Sequence, residues 1–146
     1  MLFSELQHKG LMVSVSGVRG IVGESLTPEI CTRLGAAFGT FVKGGTVVVG
    51  RDTRLSGEMV KHAVFSGLLS AGCKVVDVGV IATPSLTLMI EKLNADGGVM
   101  ISASHNPVEW NALKFFNGKA LYLNDAEGKQ LMAIADLPDL RRARWD

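Results

Sequence analysis

This chain of 146 residues holds only two cysteines and three histidines, and its formal net charge is +1. Neither Cys31 nor Cys73 has a Cys or His at metal-ligand spacing. That argues against a zinc site or a disulfide framework, and two buried, reduced thiols are expected, as in a cytoplasmic protein. A charge so close to zero creates no global field for nucleic acid or an acidic membrane. No apolar run reaches the roughly 18 residues that a membrane span needs. Met1 to Gly10 lacks the basic start and long apolar stretch of a signal peptide. Gly-Lys-Ser and Gly-Lys-Thr are absent, which removes the P-loop, and there is no G-x-S-x-G nucleophile elbow. Gly17-x-x-Gly20-x-x-Gly23 falls short of a dinucleotide fingerprint. That motif needs G-x-G-x-x-G with the helix opening inside it and an acid about 20 residues further on. Here the helix signal starts at Thr27, beyond the glycines.

What is present describes an ordinary globular domain: 47% hydrophobic and 20% charged residues, with a high count of 17 glycines. The length suits one domain with a real core. Residues 1–10 are poorly patterned and read as an arm, 11–136 as the domain, and 137–146 as a tail or the start of an interdomain linker. Leu11 to Val15 is a short strand candidate that runs into Ser16-Gly17-Val18-Arg19-Gly20. There, two glycines around an arginine suggest a tight loop able to approach a ligand. Thr27-Pro28-Glu29 is a helix start: a capping hydroxyl, a proline in the first turn, then an acid at the positive end. Ile30, Leu34, Ala37, Phe38 and Phe41 recur at helical spacing, and Gly44-Gly45 ends the run. The β-branched Thr46-Val47-Val48-Val49 is a buried strand.

Ser56 is placed to cap a second helix with apolar residues from Val60 to Ala71, and Lys74 to Val78 is the next strand. Strand, helix and strand within about 35 residues is the βαβ signature. A helix from Pro84 to Lys92, a strand ending at Ile101, and a short strand Leu113–Phe116 with an Asn117-Gly118 turn follow. Tyr122-Leu123 is placed to pair back, and Asp125 to about Ala135 is the last helix. The expected architecture is a three-layer α/β/α domain with a mixed, mostly parallel sheet, because the strands are apolar throughout rather than alternating.

The chemistry gathers at strand ends. The apolar run Gly97 to Ile101 stops abruptly in Ser102-Ala103-Ser104-His105-Asn106-Pro107. Ligands of open α/β sheets bind at that kind of edge. The plainer alternative is that Asn106-Pro107 turns the chain and the polar residues face water. Two other clusters, Ser16 to Gly20 and Gly50 to Arg54, would join it if their strands run alongside. Arg19, Arg51, Arg54, Ser104, His105 and Asn106 would then share one rim, which suits a phosphate or carboxylate. Against this, Asp52 stands between Arg51 and Arg54 and could simply pair with them. Arg141, Arg142 and Arg144 in the tail read as a solvated charge run rather than a nucleic-acid site.

With these residues in view, the chain resembles the α-D-phosphohexomutase family of phosphoglucomutases, phosphomannomutases and phosphoglucosamine mutases. Ser102 to Pro107 is similar to the family's phosphoserine loop, Ser16 to Gly20 to its N-terminal arginine loop, and Gly50 to Arg54 to its second strand-end motif. Asn111-Ala112-Leu113-Lys114 stands where the family usually has Asn-Gly-x-Lys, with Ala112 replacing the glycine. The resemblance spans roughly Val13 to Met132 and implies domain I of a four-domain enzyme that interconverts hexose 1-phosphate and hexose 6-phosphate through a bisphosphate. It implies that Ser104 carries the exchanged phosphoryl group and that His105 adjoins it. Arg19 and Lys114 would flank the transfer, and Ser16, Arg19, Arg51, Arg54, Asn106 and Lys114 would bind substrate phosphate.

It further implies Mg²⁺ held through a phosphate on Ser104, with its carboxylates in a missing domain, and hexose 1,6-bisphosphate as activator. The implied partners are a phosphosugar and domains II–IV, with no nucleic acid and no membrane. A domain cut from these neighbours is expected to be inactive alone and to self-associate through the exposed interface. A non-catalytic phosphosugar-binding or interaction module is the alternative from another class.

Overall fold

In the computed structural model, residues 3–15 and 17–146 are described. Six strands form one sheet: β1 (Met12–Ser14), β2 (Gly17–Ile21), β3 (Thr46–Arg51), β4 (Lys74–Val80), β5 (Gly97–Ile101) and β6 (Trp110–Asn117). Their spatial order is β1-β2-β6-β5-β3-β4. β4, β3 and β5 are parallel neighbours, whereas β5–β6, β6–β2 and β2–β1 are antiparallel ladders. The sheet is mixed as expected. Four strands (β2, β5, β3, β4) point the same way, while three of the five ladders are antiparallel.

The helices are α1 (Phe3–Gln7), α2 (Pro28–Phe41), α3 (Gly57–Ser70), α4 (Thr83–Lys92) and α5 (Asp125–Asp136). They divide unequally between the two faces. Leu34 and Phe38 of α2, Val60, Val64 and Leu68 of α3, and Leu131 and Ala135 of α5 pack with Val47, Val49, Val99, Ile101, Leu113 and Phe115 in the main core. The other face has a smaller cluster, where Leu86 and Ile90 of α4 meet Val48, Met100 and Phe116. Alternation along the strands sends odd and even residues to these two cores. Both faces of β3 and β5 are therefore covered, which is why both strands are apolar throughout. Among the described helices only α4 lies on its face, and it packs on β3 and β5. The β6–β2–β1 half of that face carries none of the described helices.

Most segments form where the sequence places them, and the differences have physical causes. Thr27 caps α2, accepting from the Ile30 N–H at 3.4 Å. Gly72, at φ +88°, ends α3, and Phe116 bridges Tyr122 as anticipated. Ser56 makes no capping bond. Its Oγ instead accepts from the Asn111 Nδ2 at 2.9 Å, which satisfies an asparagine that is wholly buried. The arm contains α1, because Phe3 and Leu6 are buried in the main core. The tail lies across the ends of two helices. Leu140 is buried, the Arg141 Nε donates to the Ala71 carbonyl at 2.9 Å, and the Ala143 N–H donates to the Ser70 carbonyl at 2.8 Å.

The expected loop at 16–20 is for the most part strand β2. A Cβ at Gly20 would lie 2.5 Å from the Ser25 Oγ, and one at Gly17 would overlap the Leu113 carbonyl. These glycines permit close backbone packing rather than approach to a ligand.

Candidate functional site

β5 delivers the loop. Its five residues are all buried, and the chain then leaves the sheet at the edge where the parallel strands end. The Ser102 N–H still bonds to the Ala112 carbonyl at 3.0 Å, so the ladder with β6 persists one residue past the strand. Ser102 is buried, and its Oγ accepts from the Ser104 N–H at 3.1 Å. The Asn106 N–H closes a turn onto the Ala103 carbonyl at 3.1 Å. Within that turn Ser104 adopts φ +55°, a left-handed conformation that a residue with a Cβ rarely takes. Ser104 and His105 are exposed, and Asn106 is half-buried. The Ser104 hydroxyl has no hydrogen-bond partner among the described residues. Backbone strain held by surrounding bonds clusters at functional sites.

Arg54 supplies most of that hold. Its Nη2 donates to the carbonyls of Ser104 (2.9 Å) and Asn106 (2.7 Å), and its Nη1 to those of Pro107 (2.6 Å) and Trp110 (3.0 Å). Its Nε faces Asp52 Oδ2 at 3.4 Å. Of the five N–H groups of a guanidinium, four are hydrogen-bonded here, and the fifth, at Nε, faces the Asp52 carboxylate as an ion pair. Arg54 was expected among the ligand cations; its guanidinium is held by the carbonyls of the serine loop, and the residue also lines the cleft beside Ser104. Arg51 is also occupied: Nη2 pairs with Glu58 Oε1 at 2.7 Å and Nη1 donates to the Asp52 carbonyl at 3.0 Å. Its Nε is buried without a partner. The plainer expectation for this cluster therefore holds in part, since Asp52 does pair with Arg54.

Arg19 and Lys114 remain as cations with no ion pair among the described residues. Arg19 lies opposite Ala112, and Gly17 opposite Lys114. Partners in a ladder share a face, so Arg19 and Lys114 are diagonal neighbours, about 7 Å apart at their Cα atoms. Both lie on the α4 side, in the half of the sheet that α4 leaves uncovered. Arg19 is exposed and Lys114 half-buried. Arg19, Ala112 and Ser102 form one row across β2, β6 and the end of β5. Arg19 is thus about 10 Å across the sheet from Ser102, two strand spacings. Ala112 is buried in β6 and is not among the residues with positive φ. An alanine fits there without strain. Ser16 lies outside the described residues.

A cleft of about 420 Å³ opens beside the loop, lined by Asp52, Thr53, Arg54, Ser104 and Asn106, with Leu55 and Val108 at its sides. A larger hollow of about 750 Å³ lies between α1, α2 and α5. It contains none of the residues expected to bind or react with a ligand and sits on the helix-covered face, so the smaller cleft is the candidate site. Mg²⁺ does not fit the donors present. Ser104 offers a single oxygen, and the cleft's carboxylate, Asp52, is already paired with Arg54. No group of three or more His, Cys, Asp or Glu among the described residues could hold a metal ion. Both cysteines are buried and free, and desolvation pushes the Cys31 thiol up to about 12 and that of Cys73 up to about 11.

An exposed serine and two cations with no ion pair among the described residues thus stand at the edge of an α/β/α domain. Residues 11–141 match the family model for phosphoglucomutase/phosphomannomutase, alpha/beta/alpha domain I. The chain belongs to that family. It is 44% identical over 142 residues to a phosphoglucomutase/phosphomannomutase of Thermococcus kodakarensis, covering 94% of this chain and 31% of that protein. It is 49% identical over 119 residues to the phosphoglucosamine mutase of Clostridium kluyveri, covering 78% of this chain and 26% of that one. The crystal structure of a phosphoglucomutase/phosphomannomutase family protein from Burkholderia thailandensis superposes with a TM-score of 0.72 at 31% identity, over 86% of this chain and 31% of that chain. The chain spans under a third of the length of these relatives.

Proposed function

We propose that this chain is the phosphoryl-carrying part of a hexose-phosphate mutase, with Ser104 as the residue that is phosphorylated. The observation that carries this reading is Ser104 itself: exposed, left-handed, with a free hydroxyl, and held in place by bonds to its backbone alone. In the forward half-reaction the phosphorus–oxygen bond to Ser104 Oγ breaks and a bond to a sugar hydroxyl oxygen forms. The hydroxyl proton leaves to a base, and the sugar becomes a bisphosphate. After the sugar reorients, its other phosphoryl group returns to Ser104. Negative charge spreads over the phosphoryl oxygens during each transfer, so the requirement is positive charge and positioning. Arg19 and Lys114 provide the charge. His105 is placed next to Ser104 to hydrogen-bond the phosphoryl group or handle a proton, and Asn106 adds a polar group at the cleft.

The two cations face an open half-sheet, with no opposing wall to exclude water or grip the sugar. Domains beyond this chain would supply that wall, the sugar contacts and any carboxylates for Mg²⁺. The chain alone is therefore expected to bind phosphosugar weakly, to show no mutase turnover, and to self-associate through the face left open. A cytoplasmic setting suits two unpaired thiols. An NMR titration with glucose 1,6-bisphosphate tests the binding half. Shifts should fall on residues 102–107, Arg19 and Lys114, and Lys114→Ala should weaken binding about tenfold, the loss of one charged contact. Shifts confined to other surfaces would remove the support for this reading.

A further inference from the structure

We propose that Arg54 is the positioning residue that presents Ser104, a role that rests on the phosphoserine reading above and assigns Arg54 no contact with substrate. The geometry is specific. One guanidinium gathers the carbonyls of Ser104, Asn106, Pro107 and Trp110, so it spans both ends of the loop, from the reactive turn to the start of β6. Its own position is fixed by Asp52, which faces the Nε at 3.4 Å and also accepts from the Arg54 backbone N–H at 3.0 Å. The Asp52 N–H in turn donates to the Ile101 carbonyl at 3.0 Å, tying the end of β3 to the end of β5. Arg54 therefore links the β3 end to the Ser104 turn through its side chain, and Asp52 holds it at the right height.

A lysine cannot repeat this. It is a single point charge with three donors and no planar fork. Four carbonyls drawn to one cation also bear on the strain at Ser104, because they oppose relaxation of the turn away from φ +55°. The serine's backbone is restrained while its hydroxyl is left free.

The test compares wild type, Arg54→Ala, Arg54→Lys and, as a control, Arg33→Ala. Arg33 also donates to backbone carbonyls, those of Ala135 and Leu137, but far from the loop. Two readouts are taken. The first is amide hydrogen exchange at Asn106, whose N–H closes the turn, relative to the β5 amides. The second is the rate at which glucose 1,6-bisphosphate with Mg²⁺ loads phosphate on Ser104. In both Arg54 variants Asn106 exchange should rise roughly tenfold or more while β5 stays protected. Loading should fall with it, and millimolar guanidinium should restore both in Arg54→Ala. Arg33→Ala should lower the melting temperature without changing either readout.

Wild-type exchange at Asn106 in both Arg54 variants would overturn the proposal, as would equal slowing of loading in Arg33→Ala. If wild type takes up no phosphate, the phosphoserine reading fails, and the exchange readout still decides the role of Arg54. If Arg54→Ala does not fold, Arg54→Lys is read in its place.

Discussion

Ser104 combines exposure with a left-handed backbone. A glycine accepts φ +55° without the Cβ penalty, so Ser104→Gly should stabilise the domain by about 0.5–1 kcal/mol in urea melts. Destabilisation would show that the turn is not strained. Ser56→Ala should cost about 1–3 kcal/mol, because it leaves the buried Asn111 amide without its acceptor. Some of this is legible in the sequence. A fully apolar strand that ends in Ser-Ala-Ser-His-Asn-Pro announces a polar loop at a sheet edge. The work of Arg54 and Ser56 is not, because their partners are carbonyls and an amide about fifty residues away in the chain. A sequence displays donors but not where distant acceptors will meet them.

At the scale of elements, α2 and α3 cross through small residues. A Cβ at Gly35 would lie 2.5 Å from the Val64 carbonyl, and one at Gly67 would overlap that of Thr32. Gly67→Ala should therefore destabilise by about 1–3 kcal/mol or more, read as a lower melting temperature. An ion-pair chain joins the end of β3, α3 and β4: Glu58 takes Arg51 at 2.7 Å and Lys61 at 3.1 Å, and Lys61 reaches Asp77 at 3.3 Å. Hydrogen bonds from Lys61 and Arg51 hold the Glu58 carboxyl below its ordinary value. A depressed folded-state value means that the stabilisation is present above the unfolded value and is lost as pH falls through the folded one. Glu58→Gln should flatten that part of the acid limb of the stability profile, and an unchanged acid limb would contradict the pairing. The helices were readable from periodicity because each buries one face, and the central strands from unbroken apolar runs because both of their faces are buried. β2 was not: its two glycines look like a turn, and only the backbone of β6 and the Ser25 side chain reveal why no Cβ fits.

At the scale of the molecule, the main core lies on one side of the sheet, and α4 covers only part of the other. The resulting open half-face carries Arg19 and Lys114, and Met12, opposite Arg19, is 46% exposed. No periodicity in the sequence predicts that gap. It follows from strand order, which sets β2 and β1 beyond β6, away from the β3 and β5 strands on which the ten-residue α4 packs. On the proposed function, this open half-face lets a phosphorylatable Ser104 and two cations meet whatever closes over them. That is the claim the account depends on most.

Peptide mass mapping after incubation with glucose 1,6-bisphosphate and Mg²⁺ tests it most directly, with Ser104→Ala as the control. The account predicts one phosphate on the peptide containing Ser104, absent in the variant. A phosphate carried on another residue, or retained in Ser104→Ala, would contradict it.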